Sequence, residues 1–79
     1  MKSLADIVIP SGGFVPITTG GSVIIQAKTG TVQVANEGAV VGSGFTLPMF
    51  AYETFSVGSD GLQVSNSTSF PVTIAVVQL

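Results

Sequence analysis

Period-two alternation of apolar and other residues is clearest in Val23-Ile24-Ile25-Gln26-Ala27, Thr31-Val32-Gln33-Val34, Leu62-Gln63-Val64-Ser65 and Val72-Thr73-Ile74-Ala75-Val76. Successive side chains of a pleated strand point to opposite faces, so this repeat marks strands with one face turned to a core. The core face so defined holds Val23, Ile25, Val32, Val34, Phe55, Val57, Leu62, Val64, Val72, Ile74 and Val76, with Gln33, Gln63 and Thr73 opposite. Glycine and proline recur between the apolar segments, and the spacing predicts strands near 4–9, 14–18, 22–27, 31–35, 45–47, 54–57, 61–65 and 71–78. No segment carries helical spacing. Valine, isoleucine and threonine supply 26 residues against four leucines, a balance that fits a pleated sheet.

Turn chemistry assigns the connections. Lys28-Thr29-Gly30 puts a glycine where a three-residue hairpin needs positive φ, which pairs strand 22–27 with 31–35. Ser59-Asp60-Gly61 is expected to join 54–57 to 61–65, and Ser65-Asn66-Ser67-Thr68-Ser69 to lead into the last strand, so the C-terminal half reads as a meander. The expected fold is all-β, a small antiparallel β-sandwich or barrel of about 6–8 short strands. Residues 1–79 form a single β domain with no dividing linker.

Two segments break the alternation. Residues 4–9 are apolar on both faces, which implies cover on both sides. Two readings stay open for them: a sandwich strand whose second face lies under a loop, or an N-terminal arm strand within residues 1–10 that adds to the edge of a neighbour's sheet. Ala39-Val40-Val41, between Gly38 and Gly42-Ser43-Gly44, carries the same implication of cover.

Composition narrows the function. Of 79 residues, 46% are hydrophobic and only 8% charged, with mean hydropathy +0.68. A dispersed small domain is best served by a surface of roughly 25–35% charged residues. This chain has Lys2, Asp6, Lys28, Glu37, Glu53 and Asp60 alone, so much of its surface is expected to be covered by other chains and both ends to be docked. A core of this size rarely supplies more than about 3–5 kcal/mol. With no cysteine and no histidine, neither disulfides nor zinc can add to it, which leaves association.

The same absences exclude Ser/His/Asp and Cys/His catalysis. Glu53 and Asp60, on either side of strand 54–57, are the one available carboxylate pair, and both are expected as solvated loop residues. Glu37 reads as the polar tip of a loop. Gly12-Gly13, Gly20-Gly21 and Gly42-Ser43-Gly44 lack the following helix or Lys-Ser/Thr pair of a phosphate cradle and read as turns. The chain is therefore expected not to be an enzyme and to need no metal or cofactor. Two lysines, no arginine and a net charge of −2 argue against nucleic acid. Residues 1–10 are too short for a signal peptide and no run spans a membrane, so synthesis in a cytoplasm without export or membrane insertion is expected. Asn66-Ser67-Thr68 then reads as a turn and not a glycan acceptor.

Residues 45–55 hold three of the five phenylalanines and the one tyrosine. Phe45, Leu47 and Phe55 are expected in the core. Met49, Phe50 and Tyr52 follow Pro48 in an irregular stretch and are candidates for contact with another chain, as are Leu4, Ile7 and Ile9 of the first segment.

The tract Thr31-Val32-Gln33-Val34-Ala35-Asn36-Glu37-Gly38-Ala39-Val40-Val41-Gly42-Ser43-Gly44-Phe45-Thr46-Leu47 resembles a pattern of small bacteriophage virion proteins. There a strand leads through a polar glycine-containing loop to a Gly-Phe-x-Leu element. The later pieces Glu53-Thr54-Phe55-Ser56-Val57, Leu62-Gln63-Val64, Ser67-Thr68-Ser69 and Val72-Thr73-Ile74-Ala75-Val76 continue the likeness across residues 31–77. The chain departs from it at Pro48-Met49-Phe50-Ala51-Tyr52, which is more hydrophobic than the pattern's polar turn. The resemblance implies a capsid decoration or cement protein on the surface of the virion, which stabilises the phage head by bridging major capsid subunits. Its partners would be other copies of itself, most simply as a trimer, and the major capsid protein. A head-fibre, neck or tail-associated module that contacts a glycan or receptor is the alternative. No catalytic residue carries over.

Overall fold

The most regular alternating segments, residues 23–27 and 72–76, become the two longest strands and lie side by side. A computed structural model describes residues 1–18 and 21–79; Gly20 of the expected Gly20-Gly21 turn lies outside the described residues. Among the described residues there are nine strands and no helix: β1 (Lys2–Ser3), β2 (Ile7–Ile9), β3 (Phe14–Ile17), β4 (Gly21–Ala27), β5 (Val32–Asn36), β6 (Phe45–Leu47), β7 (Tyr52–Val57), β8 (Leu62–Ser65) and β9 (Val72–Gln78). They form two antiparallel sheets, one ordered β1/β2-β9-β4-β7 and the other β3-β8-β5-β6.

The pairings nest. With β1 and β2 counted as one interrupted strand, the first strand pairs with the last, β3 with β8, β4 with β7 and β5 with β6. The β4–β9 and β5–β8 pairings then complete the two sheets. A long hairpin rolled into two packed sheets in this way is a jelly roll, one of the arrangements by which antiparallel sheets bury a core with few open edges. The expected all-β sandwich is observed.

The two expected hairpins and the C-terminal meander are not observed. Strands β4 and β5 lie in opposite sheets, as do β7 and β8. The link after β4 is held by β9: Lys28 N–H donates to Thr73 O (2.9 Å) and Thr73 N–H to Thr29 Oγ1 (2.8 Å). A Cβ on Gly30 would lie 2.8 Å from Val72 Cγ2, so this glycine serves close approach to β9 and not a hairpin. At the other link, Gly61 N–H closes a turn on Gly58 O (3.1 Å), while Gly61 O accepts Glu37 N–H (3.3 Å) and so extends the β5–β8 ladder of the second sheet. Turn residues mark where the chain reverses; whether it reverses within a sheet or across the core depends on partners distant in sequence.

The core forms between the sheets from the expected positions. Val23, Ile25, Val72, Ile74 and Val76 of one sheet face Val32, Val34, Leu62 and Val64 of the other, all buried. Phe55 is only half-buried because β7 is an edge strand.

Gln63 and Ser65, on the outer side of β8, are buried as well, since residues 37–44 fold back over them, and Gln33 beside them on β5 is buried with its Oε1 accepting the Ser67 hydroxyl (3.1 Å). Gly38 N–H donates to Gln63 Oε1 (3.0 Å), Gln63 Nε2 to Ala39 O (2.7 Å), and Gly42 N–H to Ser65 Oγ (3.0 Å). Buried amides and hydroxyls here satisfy loop backbone that would otherwise be stranded away from water. The cover expected over Ala39-Val40-Val41 is absent at Val40, which is 79% exposed; this loop is the cover.

Within the chain, residues 4–9 run along β9 as an edge strand of the sandwich. Between the pairs Ser3↔Val77 and Ile7↔Ile74 the N-terminal strand takes four steps and β9 three, so one extra residue forms a bulge. The bulge changes the parity of the strand. Leu4, Ile7 and Ile9 all turn toward the core, and Val8 faces outward.

Candidate interaction surface

Each sheet has two edges, and the four differ in how regular a strand they present. The β3 edge contains Pro16, the β6 edge is three residues long, and the β1–β2 edge is interrupted by the bulge. The β7 edge is six residues of regular strand. Its polypeptide enters from the turn Pro48-Met49-Phe50-Ala51, closed by Ala51 N–H to Pro48 O (3.0 Å).

Phe50 occupies the third position of that turn with φ +71°, the left-handed region that type II turns ordinarily fill with glycine or asparagine. Holding a bulky residue there costs about 1–3 kcal/mol. Surrounding bonds impose it. Phe50 N–H donates to Ala27 O (2.7 Å), Ala27 N–H to Ala51 O (3.1 Å), and Gln26 Nε2 to Phe50 O (3.3 Å). The ring gains little burial in return, since Phe50 is 68% exposed, between Met49 at 49% and Tyr52 at 69%. The strain is thus held at an exposed apolar tip.

Behind the tip lies the outer face of the β1/β2-β9-β4-β7 sheet. Cross-strand register places Ser22, Ile24 and Gln26 of β4 beside Ser56, Thr54 and Tyr52 of β7, and beside Val77 and Ala75 of β9. None of these residues is charged. Glu53 alternates to the other side of β7, on the rung of the fully buried Ile25, yet is exposed because the edge is open beside it.

Of the candidate contact residues, Met49, Phe50 and Tyr52 are together at this tip. Leu4 and Ile7 instead pack half-buried against the core and Ile9 is wholly within it, because the bulge turns them inward. Phe45, expected in the core, is half-exposed; it faces inward on β6 but has no strand beyond it, and its ring rests on Phe55. Glu53 lies on β7 and not in a loop. Asp60 stands beyond the end of that strand, and Glu53 to Val57 alone spans roughly 13 Å, so the two carboxylates do not form a pair. Among the described residues, no cavity opens and no three acidic side chains converge.

The asparagine of Asn66-Ser67-Thr68 was legible only as a turn. Its side chain is fully buried, with Nδ2 donating to Ile9 O (3.0 Å) and Phe70 O (2.8 Å) and Oδ1 accepting Thr68 N–H (2.9 Å). It locks the corner after β8 to the end of β2.

Comparison with known proteins returns no match, whether to family models, to curated proteins or to solved structures. Fold and surface together define a small jelly-roll domain with one long regular edge, an outer sheet face uncharged across β9, β4 and β7, and a strained aromatic tip.

Proposed function

We propose that this chain is a structural protein of a bacteriophage particle, a capsid decoration or cement protein that binds as a homo-oligomer, most simply a trimer, across neighbouring major capsid subunits. The observation that carries the reading is Phe50, held at positive φ with its ring in solvent between Met49 and Tyr52. Aromatic and methionine side chains are enriched at the cores of interfaces. The neutral sheet face behind the tip would meet the partner without stranding a charge. Jelly rolls serve as building blocks of viral capsids, which agrees with the resemblance in residues 31–77, although the fold alone assigns no function. The mechanism is burial of apolar surface between chains, and no chemical step is involved.

The test is re-binding of purified protein to phage particles that lack it, followed by co-sedimentation. Wild type is expected to pellet with particles and the Phe50→Ala, Tyr52→Ala double variant to stay in solution. Failure of the wild type to bind would remove the reading.

A glycan- or receptor-contacting module of the head fibre, neck or tail is the second reading, favoured by the exposure of Tyr52, whose ring could stack on a sugar. A glycan array with no signal would dispose of that part of it.

A further inference from the structure

The β7 edge has donors and acceptors to offer. Ala27 N–H donates to Ala51 O, and on the same parity Glu53, Phe55 and Val57 direct their backbone groups at β4, while Tyr52, Thr54 and Ser56 direct theirs at the open side. One is already occupied: Thr54 N–H donates to Glu53 Oε1 (3.2 Å). A charged residue on the inner side of an edge strand guards against indiscriminate pairing.

At the far edge of the same sheet, Leu4 N–H donates to Val76 O (3.0 Å), so Lys2 and Leu4 face β9 and Ser3 directs its N–H and C=O outward. Ser3 pairs with Val77, Val77 with Ile24, and Ile24 with Thr54. The open groups of Ser3 and of Thr54 therefore lie on one rung at opposite ends of the sheet. Three successive antiparallel pairings also make β1 and β7 run in opposite directions.

We infer that the β1 edge of one copy pairs with the β7 edge of the next, Ser3 against Thr54, so that identical chains join head to tail and close into a ring. This rests on the assembly reading above and names its first partner, a second copy of the chain. Rotation about an axis along the strands preserves both the level of the rung and the antiparallel sense, and a heterologous contact of this kind closes when the rotation does.

Charge selects this pairing. On that register Glu53 stands opposite Leu4 of the neighbour and diagonal to its Lys2, within reach of long side chains. Neither Lys2 nor Glu53 has an ion pair among the described residues. As Thr54 N–H turns to its new partner, the Glu53 carboxylate is released to Lys2. The nearest like charge on the neighbour, Asp6, is already held by Lys28 at 2.7 Å. Two β7 edges paired about Thr54 would instead set Glu53 diagonal to Glu53, about 7–8 Å apart, which is repulsive.

The test is native mass spectrometry and sedimentation equilibrium of the full chain, with Lys2→Glu, Glu53→Lys and the double swap. Wild type is expected at a small fixed multiple of 8.0 kDa. Each single swap should weaken association about tenfold per contact and the double swap restore it. Both positions are exposed, and circular dichroism should find the fold unchanged in all three. A wild type that stays monomeric up to its solubility limit, single variants that associate as well as wild type, or a double variant no better than the singles would each overturn the inference. Particle binding measured in parallel separates the two ideas: a monomer that binds particles removes the ring alone, and a ring that rescues as described but never binds particles upholds the ring and removes the virion reading.

Discussion

Phe45 on β6 and Phe55 on β7 meet edge to face, ring centroids 5.7 Å apart and planes inclined at 78°, and this contact joins the two sheets along the side where neither has a further strand. Such aromatic pairs contribute about 0.5–1.5 kcal/mol beyond their buried area. A double-mutant cycle with Phe45→Leu and Phe55→Leu, read by urea unfolding, should return a coupling energy of that size. Strict additivity would mean that the rings do not hold the edges together.

Asn66 ties the corner after β8 to β2 through three hydrogen bonds to backbone. Replacing it by alanine leaves the Ile9 and Phe70 carbonyls and the Thr68 N–H without that partner, at a cost of about 2–4 kcal/mol. The urea midpoint should fall accordingly with little change in slope. A near-neutral Asn66→Ala would contradict the burial assigned to this side chain.

Gln63 holds the 37–44 loop by both ends of its amide. Gln63→Leu should free the loop before it unfolds the domain, and Glu37 supplies a convenient readout because it lies within that loop. Cleavage after Glu37 by a glutamyl endopeptidase should accelerate well beyond any change in global stability. Equal protection of variant and wild type would show that the loop is held by other means.

Phe50 separates stability from contact. Glycine adopts φ +71° without the steric penalty, so Phe50→Gly should stabilise the free chain by about 1 kcal/mol, a rise in Tm of roughly 4–8 °C. Phe50→Ala keeps the positive φ and should not show this gain. Both should lose particle binding, since both lack the ring. Destabilisation by the glycine variant would remove the case for strain at the tip.

Much of the fold was legible because its strands announce themselves locally. Val72-Thr73-Ile74-Ala75-Val76 can face a core in only one register, and its apolar face is the one buried. What could not be read was which sheet a strand joins. Lys28-Thr29-Gly30 has hairpin chemistry, yet Gly30 is required by Val72, more than forty residues away in the chain. The contact candidates divide on the same ground. Met49, Phe50 and Tyr52 stood out because apolar residues gather there beside a proline, and they are exposed. Leu4, Ile7 and Ile9 looked like a two-faced strand because a single extra residue in the bulge hides their common side. No sequence signal marked the φ of Phe50, since turns of that kind are normally recognised by the glycine this one lacks.

The central claim, that this chain is a repeated surface component of a capsid, is tested most directly by its copy number in purified particles, measured by quantitative mass spectrometry against the major capsid protein. A decoration protein should be present in a number comparable with that of the major capsid subunit. Absence from the particle, or a few copies confined to the neck or tail, would contradict it.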